Sequence, residues 1–147
     1  MKRTYCSIFL LLALVFLSGF GERQKADPLD LTTNKASYSK GEPVKLSIKF
    51  TNISSEAIST YFTSGQKFDI IIMDGNKKEI WRWSHGKMFT MAIQPFGLEQ
   101  GESVSYSYSW DQKDNSRRSV APGKYYVTGV ITIVPRITSK EKVIMVK

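Results

Sequence analysis

The chain has 147 residues and a formal charge of +8, with one histidine, one cysteine and 41% hydrophobic residues. That length holds one domain and an N-terminal extension. One His and one Cys leave too few groups for a Ser-His-Asp or Cys-His system or for a transition-metal site, so the composition speaks against an enzyme and against a metalloprotein.

The extension comes first. Lys2 and Arg3 give a positive start, Ile8 to Leu17 is an unbroken apolar run, and small residues follow at Ser18, Gly19 and Gly21. Residues 1–21 therefore read as a secretory signal peptide, which predicts a secreted or cell-envelope-associated protein. The apolar run is about half of the roughly 20 residues that a spanning helix needs, so no stable membrane span is expected. Cys6 precedes the run, where a lipoprotein cysteine would follow it. With the signal removed the domain has no cysteine, and its stability must come from packing without disulfides. Residues 22–30 (ERQKADPLD) are charged, carry Pro28 and read as a short linker to a domain over residues 31–147.

In the domain, Val44, Leu46, Ile48 and Phe50 alternate with Lys45, Ser47, Lys49 and Thr51. This period of two predicts a strand with one buried face. Gly41-Glu42-Pro43 introduces it, and Asn52 to Glu56 ends it. Ala57 to Thr63 is the next strand. Phe68 to Met73 follows, apolar on both faces at Ile70, Ile71 and Ile72 as a central strand would be. Asp74-Gly75-Asn76 turns the chain into Lys78 to Ser84, with Trp81 and Trp83 on one face and Ile80, Arg82 and Ser84 on the other. His85-Gly86-Lys87 breaks the pattern. From Ser103 to Trp110 the residues Val104, Tyr106, Tyr108 and Trp110 alternate with serines. Lys124 to Val134, opened by Pro122-Gly123, and Ile137 to Lys147 complete the set. Eight or so short strands at regular spacing, with no amphipathic helical period and no repeat, predict an all-β, immunoglobulin-like antiparallel β-sandwich lacking the Cys-Trp-Cys core of antibody domains.

Candidate chemistry is sparse. Ser84 and His85 are neighbours on a strand, so their side chains point to opposite faces and are badly placed to share a proton. Asp74-Gly75-Asn76 and Asp111 to Asn115 lack the spaced acids of a calcium loop, and turn formation explains them. No metal and no cofactor is expected. The row Trp81, Trp83, Tyr106, Tyr108, Trp110, Tyr125 and Tyr126 would stack on sugars or anchor a protein partner if exposed, but its alternation favours a sandwich core with a few rim positions. Basic pairs at Lys77-Lys78 and Arg117-Arg118 have no accompanying nucleic-acid motif, so no nucleic-acid partner is expected. Two segments remain for partner binding. His85-Gly86-Lys87-Met88-Phe89 either enters a protein cleft or is an ordinary connection with Met88 and Phe89 tucked under the sandwich, and on residues alone the ordinary connection is preferred. Gln112 to Ser119, with Arg117 and Arg118, reads as a mobile surface loop.

Several motifs, in order, resemble the BsuPI-type intracellular proteinase inhibitor family. Tyr38 to Val44 (YSKGEPV) is similar to the family's opening and Phe50-Thr51-Asn52 to its first strand end. Phe62, Ser64-Gly65-Gln66, Phe68 and Asp69 follow an F-x-S-G-Q-x-[YF]-D pattern. Glu79 to Ser84 matches a W-R-W-S element through Trp81, Arg82, Trp83 and Ser84, and Gly86, Lys87 and Phe89 match the segment after it. Leu98, Gly101-Glu102-Ser103, Trp110 and Pro122 to Tyr125 complete the order. The resemblance spans most of Tyr38 to Val134. It implies an immunoglobulin-like sandwich and a subtilisin-like serine protease as partner, and it carries over no reactive-site residue. Asp69 is placed to accept backbone or Gln66 hydrogen bonds, and Arg82 either pairs with Asp69 across the hairpin or stacks on an aromatic neighbour. The expected function is a secreted, non-enzymatic inhibitor acting by protein–protein contact, with His85 to Phe89 the first candidate contact. The alternative is a module that binds an anionic polymer or glycan of the cell envelope, or an accessory domain of a surface assembly.

Overall fold

The computed structural model describes residues 27–147. The signal peptide expected at residues 1–21 and most of the expected linker lie outside the described residues.

Eleven strands make up the described chain, and no helix occurs among the described residues. They are β1 (Leu29–Thr33), β2 (Ser37–Tyr38), β3 (Val44–Thr51), β4 (Ile58–Phe62), β5 (Phe68–Met73), β6 (Glu79–Arg82), β7 (Gln94–Leu98), β8 (Ser103–Trp110), β9 (Gly123–Ile131), β10 (Ile137–Thr138) and β11 (Lys142–Val146). One sheet has the order β1-β3-β8. The other runs β2-β11-β9-β5-β6, with β10 beside β9, and β4 pairs with β7 as a separate ribbon. All pairings are antiparallel except β2 with β11. The chain is an all-β sandwich, as its alternation predicts.

The alternation decides what lies between the sheets. Val44, Leu46, Ile48 and Phe50 of β3 are buried, each no more than 1% exposed, while Lys45 and Lys49 face water. Ile70 and Ile72 of β5 face them from the other sheet with Val127, Ile131 and Ile144. The sheets approach closely at Gly129, where a Cβ would lie 2.3 Å from Ile48 Cγ2, so only glycine fits that crossing. The ribbon β4-β7 is tied to this core through Phe96, whose ring lies 6.3 Å from that of Phe50 of β3. Asn52, at 1% exposure, is a satisfied buried amide. Its Nδ2 donates to Leu98 O (3.0 Å) and Glu56 O (2.7 Å), and its Oδ1 accepts from Ser54 N (3.0 Å). It thereby fastens the end of β3 to β7.

Several sequence expectations need correcting. Leu29 and Asp30, read as linker, open β1, because Leu29 and Leu31 alternate inward against β3. The strand expected over Lys78 to Ser84 runs only from Glu79 to Arg82, and Trp83 to Lys87 form turns in which His85 N donates to Arg82 O (3.1 Å) and Lys87 N to Ser84 O (3.0 Å). The final strand is split into β10 and β11. Strand β7 was hidden by Pro95 and Gly97, which lower strand propensity. Gln112 to Ser119 is a tied hairpin rather than a loose loop. Gln112 is 2% exposed, its Nε2 donates to Ser39 O (2.8 Å) and Glu42 O (2.7 Å), and its Oε1 accepts from Gly41 N (2.9 Å). Asp114 N donates to Arg118 O (2.9 Å), and Asn115 N donates to Ile80 O (2.9 Å) on the edge of β6. A loop whose backbone groups are paired this way has little freedom.

Candidate functional site

The two motifs of the β5–β6 region meet at Asp69. Strand β5 buries its carboxylate to 4% exposure and β6 brings the W-R-W-S segment beside it. Oδ1 accepts from Ile70 N (3.0 Å) and Ser84 N (3.1 Å), and Oδ2 accepts from Ser84 Oγ (2.7 Å) and Arg82 Nη1 (3.0 Å). A second carboxylate, Glu79, takes Arg82 Nη2 (2.6 Å). The guanidinium is held firmly in its charged form, first by Glu79 and then by Asp69. The expected Asp69–Arg82 pair across the hairpin is present. Gln66 does not reach Asp69. Its Nε2 donates to Phe68 O (3.1 Å) and its carbonyl accepts from Thr132 Oγ1 (2.5 Å), so it shapes the Ser64-Gly65-Gln66 turn.

Fixing Ser84 to Asp69 aims the chain that follows. Trp83 stacks on Phe68 at 4.1 Å between ring centroids, and Phe68 stacks on Tyr106 of the opposite sheet at 4.7 Å. Trp81 is buried and stacks on Tyr108 at 5.4 Å. The aromatic row thus packs between the sheets, as its alternation predicts, with Trp83 half-buried at the margin; Tyr126 is the exception, facing outward beneath Lys77 Nζ (3.2 Å). Onto the outer part of Trp83 fold two residues of the next segment. Lys87 Nζ lies 4.2 Å from its ring centroid, and the Phe89 ring lies 5.9 Å away. Met88, between them, is 97% exposed. Met88 therefore does not tuck under the sandwich. Both of its neighbours lie on the Trp83 ring, and its own side chain is left pointing into water.

The other end of the segment is held by the Ser64-Gly65-Gln66 turn. Gly65 N donates to Thr90 O (2.9 Å), and a Cβ on Gly65 would lie 2.7 Å from Thr90 Oγ1. The glycine of this motif is needed for close approach. Beyond Thr90, Met91 is 88% and Ile93 70% exposed before β7 begins at Gln94. Residues 85–93 thus form a connection without regular structure, clamped at Trp83 and at Gly65, that presents Met88, Met91 and Ile93 to solvent. Met91, Ile93 and the clamping role of Thr90 escape the sequence reading. The signal available was nine residues (HGKMFTMAI) with neither strand alternation nor a turn pair after Gly86.

Of the remaining candidates, Arg117 comes to this site and Arg118 does not. Trp83, His85, Lys87 and Arg117 line one cleft of about 140 Å³ between the β6 turn and the 111–118 hairpin. Arg118 pairs with Asp114 (2.9 Å) and faces the Ile80 side of the same hairpin. A wider concavity, about 500 Å³, lies instead on the open Ser/Thr/Lys face of the β1-β3-β8 sheet, away from every motif that shapes the loop. Among the described residues no helix is long and apolar enough to cross a membrane.

Fold and site together define an immunoglobulin-like β-sandwich that holds one apolar connection exposed and braced at both ends. The chain belongs to the BsuPI family, described as intracellular proteinase inhibitor, whose model matches residues 31–135. Membership speaks for a protease as partner and for a non-enzymatic role. It also overturns one expectation: the family is described as intracellular, which contradicts the secreted or cell-envelope localisation drawn from residues 1–21. No curated protein matches the chain in sequence. Among solved structures it is similar to sporulation control protein Spo0M from Bacillus subtilis (15% identity, TM-score 0.48, covering 81% of this chain and 48% of that one). It is also similar to the alkylpurine DNA glycosylase AlkC from Pseudomonas fluorescens (12% identity, TM-score 0.48, 82% and 31%). A third is the β-glucosidase EmGH1 from Erythrobacter marinus (14% identity, TM-score 0.46, 81% and 15%). The chain spans less than half the length of each, and likeness at this level carries no functional argument.

Proposed function

We propose that the chain inhibits a subtilisin-like serine protease by protein–protein contact, and that residues 85–93 enter the protease's substrate cleft. The observation that carries this reading is the pair of clamps on Trp83, which fix Lys87 and Phe89 and leave Met88 97% exposed between them. A protease cleft takes an extended segment by main-chain pairing and reads alternate side chains in pockets. A segment already held in an open form loses little conformational entropy when it enters. Met88 would fill an apolar pocket of the enzyme, and Met91 a second contact beyond it. The braces at Trp83 and Gly65 resist the relaxation that would carry the segment away after attack, so it occupies the cleft as a poor substrate. A stable interface of about 800 Å² on each partner exceeds one loop. The Ser64-Gly65-Gln66 turn and the 111–118 hairpin flank the segment and supply the remainder.

Titration of a subtilisin-like protease with the full chain, read as hydrolysis of a chromogenic peptide, tests this. Loss of activity saturating at one chain per enzyme is expected. Undiminished hydrolysis at micromolar excess of the chain would remove the assignment.

A further inference from the structure

The cleft beside Met88 has its own charge pattern. Two of its charged lining groups are already compensated: Arg82 by Asp69 (3.0 Å) and Glu79 (2.6 Å), and Asp114 by Arg118 (2.9 Å). The other two, both cations, are paired weakly or not at all. Lys87 has no carboxylate partner among the described residues and lies over the Trp83 ring. Arg117 touches only Asp111, at 3.4 Å, with 72% of its side chain exposed. His85 lines the same space, and Trp83 and Tyr108 provide aromatic walls. Arg117 also sits at φ +64°, in the left-handed region that suits Gly or Asn at a turn and costs other residues energy. The hairpin would close more easily with glycine, yet an arginine stands there and reaches into the cleft.

We propose that this cleft receives a carboxylate side chain, Asp or Glu, from the rim of the bound protease's substrate cleft, and so selects among proteases. The inference rests on the reading that residues 85–93 bind a protease. Lys87, which lines the cleft, directly precedes Met88, so a partner seated on Met88 is one Cα spacing, about 3.8 Å along the chain, from a cleft residue. A planar guanidinium with a neighbouring ammonium matches one carboxylate. The cleft is small and single, where a nucleic-acid backbone would call for an extended basic stripe.

Arg117→Gly and Lys87→Gln separate this from a general charge effect. Arg117→Gly relieves the positive φ, so its melting temperature should equal or exceed that of the wild type. Each variant should nevertheless slow association with a subtilisin-like protease and weaken inhibition by about tenfold at low salt, with a flatter salt dependence. Lys45→Gln and Lys49→Gln, on the open face of the other sheet, should change inhibition by less than about twofold. Unchanged inhibition by Arg117→Gly and Lys87→Gln, or equal losses in all four variants, would overturn the carboxylate site and leave the inhibitor reading standing. Should the wild-type chain inhibit nothing, the cleft is read directly by NMR with acetyl-glutamate amide against acetyl-glutamine amide. Shifts at the Trp83 indole and the Arg117 amide with the glutamate probe alone support the site. Equal or absent shifts overturn it.

Discussion

At the scale of single residues, the buried Asp69 organises the family motif. One carboxylate accepts from two backbone amides, a hydroxyl and a guanidinium. Asp69→Ala leaves Arg82 and the Ser84 amide without that partner in a half-buried setting. The expected loss is about 3 kcal/mol, towards the lower end for a broken buried pair because the Arg82 side chain is 31% exposed. Urea denaturation at unchanged m-value measures it, and a loss under about 1 kcal/mol would show that the hub is ornamental. Gly65 does a different job. Gly65→Ala puts a methyl where Thr90 Oγ1 now sits, so Thr90 must move and the loop loses its second clamp. Stability should fall by only about 1 kcal/mol, as for mild overpacking at a surface turn. Protease inhibition should fall by about tenfold, since a freed loop must be ordered on binding. Equal behaviour of the variant and the wild type in the inhibition assay would detach this turn from function.

At the scale of elements, alternation made most strands legible and said little about the connections between them. Strands β3 and β8 follow their period of two residue by residue. The half-buried Trp83 shows why the site was harder to read. A strand pattern treats Trp81 and Trp83 alike, yet the chain leaves the strand at Arg82, and the second ring becomes a platform for Lys87 and Phe89. The contact of Gly65 with Thr90 and the approach of Arg117 to Lys87 depend on tertiary placement that no local pattern encodes. The 111–118 hairpin yields a pH prediction. The Arg118 backbone amide, with the Arg118 guanidinium and the Ser116 amide, holds the Asp114 carboxyl below the ordinary aspartate value. A carboxyl lowered in the folded state contributes stability that is complete above its unfolded value and is lost as pH falls through the folded one. The urea midpoint of the wild type should therefore fall more steeply than that of Asp114→Asn on the acid side of the ordinary aspartate range. The two curves should run parallel near neutrality, and parallel curves throughout would contradict the role of Asp114.

At the scale of the whole molecule, the sandwich is a rigid frame whose motifs converge on one exposed segment. The fold class and the family could be read from the order of motifs, because they record backbone needs such as the buried Asp69 pair, the Gln112 brace on the Gly41 turn and the Asn52 fastening of β3 to β7. The compartment could not be read that way. The apolar N-terminal run suggested export, and the family's description contradicts it. The central claim is that residues 85–93, with Met88 foremost, make the contact with the protease. Met88 is 97% exposed, so Met88→Ala should change stability by no more than about 0.5 kcal/mol. The inhibition constants of the wild type and Met88→Ala against one subtilisin-like protease, measured beside their urea midpoints, test the claim most directly. The account predicts inhibition weakened by at least about tenfold at an unchanged midpoint, the behaviour of an anchor residue. Equal inhibition by the two proteins would contradict it.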